Sequence, residues 1–167
     1  MGHKDHGIVR DLAFGALAGA AATWALGLTT TYLYEREDPI AREAEDAARG
    51  GRPSFGVAAE KVSRLLGLEP TRRVRHRLGN AIHWGLGIGA GAAYAVLRRR
   101  VPGLEAALGT VFGTAFWLLV DEGANVALGL TPGPTHFPWQ AHARGLAGHL
   151  VYGAVAETVL DVADRVA

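Results

Sequence analysis

The residues of this chain that could do chemistry are a few ionisable side chains set within long apolar segments. His83, Asp121, Glu122 and His149 each interrupt such a segment, and Asn125 follows Asp121 by about one helical turn. Histidine titrates near neutral pH, so His149 could exchange a proton with a neighbouring carboxylate. Ionised side chains are costly inside a membrane, and they therefore face a helix bundle, a partner or a wet cavity. The pattern predicts a polar intramembrane cluster that handles a proton or a cation.

Two other interpretations use the same side chains. Two histidines with one or two carboxylates suit zinc, iron or manganese, but the ligands would come from three separate helices without a diagnostic spacing. Alternatively, His149 and one acid form a hydrogen-bonded tie between two helices, as polar groups in membrane proteins commonly do. Asp121 and Glu122 are adjacent, so they point about 100° apart on a helix and cannot both aim at one partner. The sequence leaves open which of the two faces the bundle axis.

An enzymatic function is not expected. The chain contains no G-x-S-x-G, H-E-x-x-H, Walker or dinucleotide-binding pattern, and no strand is predicted before the glycine run GLGIGAG. A hydrolase built from Asp121, Glu122 and His149 would need water deep in the membrane. We therefore predict no catalytic residues, no metal and no cofactor.

Four apolar segments must position these residues. A membrane-spanning helix needs about 20 apolar residues, since each residue rises about 1.5 Å. The segments of suitable length are residues 12–34, 79–97, 106–130 and, as the weakest of the four, 145–162. With four spans, the polar cluster lies in the half of the membrane next to the first and third loops. The sequence thus predicts an all-α fold, a polytopic membrane four-helix bundle that forms a single integral membrane domain over residues 1–167.

The first loop, residues 35–78, is predicted to carry short amphipathic helices. Asp38 and Pro39 provide an N-cap and a first-turn signal for a helix through Ala48. A second helix is expected from Ser54 to Gly67, with one apolar side that suits a position at the membrane interface.

The amino-acid composition excludes several kinds of functional site. The 167 residues carry a formal net charge of +1, are 49% hydrophobic and include no cysteine. Disulfides, thiolate metal sites and cysteine nucleophiles are therefore excluded. The arginine clusters RRVRHR and RRR flank predicted spans, where arginines meet anionic headgroups more often than nucleic acid. We expect the lipid bilayer, and not nucleic acid, as a partner, with the membrane orientation left open.

Small residues at four-residue spacing indicate close helix packing. Such spacing lets two backbones approach each other in lipid. We expect these faces to pack helices within the chain or to hold a homo-oligomer together. The predicted packing glycines are Gly15, Gly19, Gly27, Gly87, Gly91, Gly109 and Gly113.

One further acid belongs to the opposite half of the membrane. Glu157 lies near the end of the fourth apolar segment, on the same side of the membrane as the arginines that follow the second segment. Because an arginine binds a carboxylate strongly, we expect Glu157 to pair with one of them, Arg98.

Three strings carry a resemblance to a known family. These are ALAGAAATW in the first span, GLTPGPTHFPW in the third loop and GHLVYGAVAE in the last span. They resemble the YagU-like family of small bacterial inner-membrane proteins, whose function is unknown. The most specific part is the loop with Gly129, Pro132, Pro138 and Trp139, together with Gly148, His149 and Glu157. The resemblance implies a multi-pass α-helical protein of the bacterial cytoplasmic membrane and supplies no reaction or catalytic residue.

Two functional hypotheses follow. In the first, the cluster handles a proton or a cation in the membrane. In the second, the chain is a non-catalytic structural or stress-related scaffold that self-associates or binds a membrane partner. The two differ in whether the cluster is wet and titratable.

Overall fold

The fold is built from helices. The computed structural model describes residues 2–166, and the side chains of residues 7–166. Within this range there is no strand, which confirms the predicted all-α fold. The elements are α1 (Gly2–Glu35), α2 (Pro39–Arg49), α3 (Ser54–Leu65), α4 (Arg72–Leu97), α5 (Thr110–Trp117), a π-helical segment (Leu118–Ala124), α6 (Asn125–Ala127), a 3₁₀ turn (Pro134–His136) and α7 (Trp139–Val166).

Helices α1 and α4 pack antiparallel through glycines. A Cβ atom added to Gly15 would lie 2.6 Å from the carbonyl oxygen of Gly91, and one added to Gly19 would lie 2.7 Å from that of Gly87. A side chain does not fit at these distances, so the stripe of small residues joins two helices of the same chain. Gly27 differs from the prediction: nothing lies within 4 Å of its added Cβ, and it takes no part in packing within the chain.

Helices α5 and α7 pack antiparallel in the same manner. A Cβ added to Gly109 would clash with the backbone of Gly153, and one added to Gly113 would clash with that of His149. Helix α7 also crosses α1, where Gly148 accommodates the side-chain methyl of Thr30. The predicted glycines other than Gly27 thus pack helices of one chain, and the expectation that these faces join subunits gains no support.

The long helices alternate in direction along the chain. One end of the bundle, called here the loop end, carries α2, α3 and residues 128–138. The other, the terminal end, carries residues 98–109 and the outer turns of α1 and α7, where Arg10 contacts Asp164. Between them lies a small apolar core dominated by alanine, with two fully buried tyrosines, Tyr94 and Tyr152. Close backbone contact, and not a thick layer of side chains, holds the four segments together.

The predicted spans and the observed helices differ at their ends. The third span does not begin at Ala106: Ala107 and Leu108 have φ values of 50° and 56°, and the helix starts at Thr110. Left-handed backbone conformations such as these interrupt a right-handed helix. Helix α4 begins earlier than predicted because Thr71 caps it, its hydroxyl accepting a hydrogen bond from the amide of Val74. Helices α2 and α3 begin at the residues predicted from the local signals.

Within the part of the chain that the structure describes, two segments meet the length and composition of a membrane span. These are Gly7–Glu35 in α1 and Trp139–Val166 in α7. They correspond to the first and fourth spans predicted from the sequence. Helix α4 packs along α1 and α5 packs along α7, while the π-helical segment divides the α5–α6 segment into shorter helices.

Candidate functional site

A cavity of about 500 Å³ opens at the loop end of the bundle. Side chains from α1, α2, α4, the π-helical segment and α7 surround it, together with the start of α3 and the loop before α7. All five residues of the predicted polar cluster line this cavity: His83, Asp121, Glu122, Asn125 and His149. The cluster is therefore a shared lining, although its members make different contacts.

His149 and Asp121 form one polar pair, in which His149 is buried and Asp121 is 36% exposed. The His149 side chain is 8% exposed, and its Nδ1 lies 3.7 Å from Asp121 Oδ2. Nδ1–H donates a hydrogen bond of 2.9 Å to the carbonyl oxygen of Gly145. Because a carbonyl only accepts, this contact fixes the proton on Nδ1 and leaves Nε2 with a lone pair in the neutral ring. Among the described residues, neither Nε2 nor the Asp121 carboxylate has a hydrogen-bond partner.

Glu122 has a separate partner, His142. Their Oε1 and Nδ1 atoms lie 2.6 Å apart, and His142 Nε2 lies 3.0 Å from the carbonyl oxygen of Pro134. The carbonyl requires a proton on Nε2, so one further proton is shared between the ring and the carboxylate. The pair is neutral overall whichever atom holds that proton. Asp121 and Glu122 thus aim at different histidines, and both face the cavity.

A π-helical segment carries both of these acids of the cavity. It runs from Leu118 to Ala124 and includes Asp121 and Glu122. A π-helix fits more residues into each turn than an α-helix does, and such segments are frequent at functional sites. An α-helix would separate the two neighbours by about 100°, as the sequence analysis assumed.

His83 and Asn125 stand apart from these pairs. The His83 ring packs against Phe55, with the ring centroids 4.9 Å apart, and makes no hydrogen bond to another described residue. Asn125 is buried, and its main-chain carbonyl accepts hydrogen bonds from the amides of Leu130 and Thr131, which turns the chain after α6. The predicted cluster is therefore not one continuous hydrogen-bonded network.

A buried arginine clamps the mouth of the cavity. Arg144 of α7 contacts Glu37 through Nη1, and its Nη2 lies 2.6 Å and 2.5 Å from the two carboxylate oxygens of Glu45. Arg49 reaches the same Glu45 at 2.5 Å. Two arginines and two glutamates are thus paired, which ties the α1–α2 connection and α2 to α7. The clamp adds no net charge to the cavity.

Tyr152 forms the floor of the cavity. Its hydroxyl donates a hydrogen bond of 2.6 Å to the carbonyl oxygen of Gly87, and its ring packs on Phe116 with the centroids 5.2 Å apart. The lining reaches Thr23 on α1, Gly87 on α4 and Tyr152 on α7, which is about midway along each helix. The apolar core begins below this level. The cavity therefore does not extend past the middle of the bundle toward the terminal end.

The terminal end holds a separate ionic network. Arg98 Nη1 lies 2.5 Å from Glu157 Oε1, which places the predicted pair in contact. Tyr94 donates a hydrogen bond to Glu157, and Arg98 also contacts Asp161 and Asp164. This network lies on the far side of the core from the cavity.

The match to known proteins concerns the second half of the chain. A family model described as protein of unknown function (DUF1440) matches residues 71–158, just over half of the sequence. The chain belongs to the DUF1440 family. No curated protein and no solved structure matches it. The narrower YagU-like name is not tested by this match and stays a prediction.

The DUF1440 region contains all five residues of the predicted cluster, as well as Arg98 and most of α7. Helices α1, α2 and α3, which complete the cavity, lie outside the matched residues. The loop with Gly129, Pro132 and Pro138 lies within the match. It contributes Pro132 to the cavity wall, whereas Trp139 begins α7 and is exposed.

Sequence reasoning left two DUF1440-region residues outside the predicted site. His142 precedes His149 by seven residues and so shares its helix face, a spacing that could have placed it at the cavity. Arg144 carried no such signal, because its partners lie about a hundred residues away in the chain. Within the described residues, no group of three or more histidine, aspartate or glutamate side chains is arranged to hold a metal ion.

Proposed function

We propose that this DUF1440 protein is a non-enzymatic, multi-pass protein of the bacterial cytoplasmic membrane whose cavity takes up a proton or a cation from the loop side. Helices α1, α4, α5–α6 and α7 would each cross the bilayer. The bacterial inner membrane is proposed because of the YagU-like resemblance of the three sequence strings.

The distribution of apolar side chains supports the membrane location. Leu17 and Trp24 on α1 are 64% and 62% exposed, and Leu119 in the π-helical segment is 71% exposed. Soluble proteins rarely leave contiguous patches of this kind uncovered, whereas lipid covers them. The interior, by contrast, contains buried charged groups such as Glu157 and Arg144. An apolar exterior around a partly polar interior is typical of a membrane bundle.

Two local features set α4 and α5–α6 apart from α1 and α7: polar residues interrupt both segments, and the π-helical segment divides the second. Their polar residues His83, Asp121 and Glu122 face the cavity, so they do not contact lipid. At about 1.5 Å per residue, the 26 residues of α4 extend about 39 Å, enough to cross the hydrocarbon region. Helix α4 also packs along α1, and α5 packs along α7. Both α1 and α7 are long and apolar enough to span a membrane. We therefore propose four spans.

The proposed uptake of a cation or a proton is supported by the missing hydrogen-bond partners of Asp121 and His149. Both face one water-accessible cavity, and neither the Asp121 carboxylate nor His149 Nε2 has a hydrogen-bond partner among the described residues. A carboxylate and an imidazole so placed can bind a proton or attract a positive charge. The floor at Tyr152 closes the path to the terminal end, so the geometry favours uptake and release on one side over conduction.

The proposal is tested by a titration combined with a flux measurement. Trp117 Nε1 and Asp121 Oδ2 both lie within 3.4 Å of the point where a Gly145 Cβ would stand, so Trp117 emission should report the protonation of this pair. We expect the emission of the purified protein to titrate with pH in the wild type and in His76→Ala, an exposed control. His149→Ala should remove or shift the titration, and Trp117→Phe should remove the signal.

Vesicles provide the second half of the test. Vesicles that contain the protein should hold an imposed pH gradient as long as protein-free vesicles do. Absence of a Trp117 titration would contradict uptake, and a proton leak that disappears in His149→Ala would contradict a one-sided cavity.

The scaffold hypothesis is the second candidate, and the Arg144 clamp favours it. Paired charges at the loop end and at the terminal end fix the helices relative to one another, which suits a structural part. Self-association would then use the exposed apolar surface, since the glycine faces are occupied within the chain. In this case Asp121 and His149 would not titrate in the accessible pH range, and their replacement would change stability alone.

A further inference from the structure

Asp121 is the one carboxylate of the cavity lining that makes no hydrogen bond to a described residue. Glu45 is bonded to Arg144 and Arg49, and Glu122 shares a proton with His142. Asp46, at the rim, is exposed and accepts a hydrogen bond from Tyr34. Asp121 has no hydrogen bond to a described residue, and its nearest ionic neighbour is His149, at 3.7 Å. A positive ligand would therefore find its counter-charge at Asp121.

The neighbouring histidine adds a second acceptor. The His149 side chain is more than nine-tenths buried against the cavity, and its Nδ1 proton is committed to the Gly145 carbonyl. Nε2 of the neutral ring can only accept a hydrogen bond. A carboxylate and a ring nitrogen that both accept favour a ligand with several N–H donors, such as a protonated amine. The arginines near the mouth are already bonded to glutamates, so an anionic ligand is not favoured.

Much of the remaining wall is apolar and aromatic, although threonine side chains of α1 also line it. Phe116 packs edge-on against His149, with the ring centroids 5.1 Å apart, and Trp117 stands beside Asp121. Leucine side chains from α1 and α4 complete these walls, namely Leu26 and Leu86. A volume of about 500 Å³ is within the range of small-molecule sites. A bare inorganic cation would leave these walls facing water, whereas an apolar body would cover them, and aromatic faces attract a cationic head.

We infer that the cavity binds an organic cation, with a protonated amine head at Asp121 and His149 and a short apolar body against Phe116, Trp117 and the leucines. This inference rests on the proposed function, because it names the class of cation that the loop-side cavity takes up. Binding requires both the positive charge of the head and the apolar body.

The test compares three probes that differ only in the head group. Hexylammonium, hexan-1-ol and hexanoate are titrated into the purified full chain in lipid nanodiscs, and binding is followed by calorimetry and by Trp117 emission. We expect saturable binding of hexylammonium and much weaker binding of the alcohol and the acid. Asp121→Asn should weaken hexylammonium binding about tenfold or more, because a charge-assisted hydrogen bond is lost. Glu69→Gln, which removes an exposed carboxylate outside the cavity, is the matched control and should bind as the wild type does.

Several binding results would contradict the inference. Equal binding of the three probes, or hexylammonium binding that survives in a folded Asp121→Asn variant, would overturn the inference. Potassium binding that depends on Asp121 without hexylammonium binding would overturn it as well and leave the proposed function standing. If the Trp117 emission of the wild type does not change with pH, the proposed function itself is contradicted. If Asp121→Asn does not fold, the comparison of the three probes on the wild-type chain still decides between these results.

Discussion

The glycine contact between α1 and α4 makes a prediction whose size can be worked out. A Cβ added to Gly91 would lie 2.5 Å from the carbonyl oxygen of Gly15 and 2.6 Å from the amide nitrogen of Gly19. Ordinary van der Waals contact of a Cβ begins near 3.4 Å, so Gly91→Ala must push the helices apart by about 1 Å. The opposing atoms belong to the backbone, so no side chain can rotate away. Overpacking of this kind costs about 1–3 kcal/mol.

Gly89 supplies a matched control two residues away on the same helix. Nothing lies within 4 Å of its added Cβ, so Gly89→Ala should be neutral or slightly stabilising through helix propensity. For a difference of about 2 kcal/mol, the melting temperature of Gly91→Ala should fall about 4–8 °C below that of Gly89→Ala. Thermal unfolding in detergent, followed by circular dichroism, measures this difference. Equal melting temperatures for the two variants would refute the α1–α4 contact as described.

Two further predictions concern charged groups at the loop end. Arg144→Gln removes the arginine that contacts both carboxylate oxygens of the buried Glu45. In a denaturation assay, this change should lower the free energy of unfolding by about 3 kcal/mol or more. The control Arg10→Gln, at an exposed ion pair, should lower it by about 1 kcal/mol or less. An equal effect of the two changes would show that the clamp does not form. Partial burial raises the pKa of Glu60, but hydrogen bonds and charges from Arg52 and Arg75 outweigh burial and hold the pKa below its usual value of 4.5. The stabilisation from Glu60 should therefore be complete above about pH 5 and be lost as the pH falls below 4.5, so that melting temperatures of wild type and Glu60→Gln converge in acid; curves that stay parallel would contradict this.

Local signals were sufficient to predict the helices and much of their packing. Asp38 before Pro39 predicted the start of α2, and the Asp38 carboxylate does accept a hydrogen bond of 2.8 Å from the amide of Ile40. Such caps depend on neighbouring residues alone, so they can be read without a fold. The spacing of Gly15 and Gly19 marked the face that α4 covers, for the same local reason.

Long-range contacts and the π-helical segment could not be predicted in this way. No residue type near Leu118 signals the wider helical turn that carries Asp121 and Glu122. The Arg144 clamp joins segments that are adjacent only after the bundle has formed. The same limit explains Gly27, where the small-residue pattern continues along α1 but no atom lies within 4 Å of the added Cβ.

We propose that α4 and α5–α6, as well as α1 and α7, cross the membrane. Because the chain has no cysteine, single cysteines at exposed positions before α4, after α4 and before α7 are unique labelling sites. The variants Glu69→Cys, Arg100→Cys and Thr135→Cys, treated with an impermeant maleimide in intact and in permeabilised cells, measure the side of each position. We predict that Glu69→Cys and Thr135→Cys are labelled from one side and Arg100→Cys from the other. Labelling of all three from the same side would contradict the four-span account.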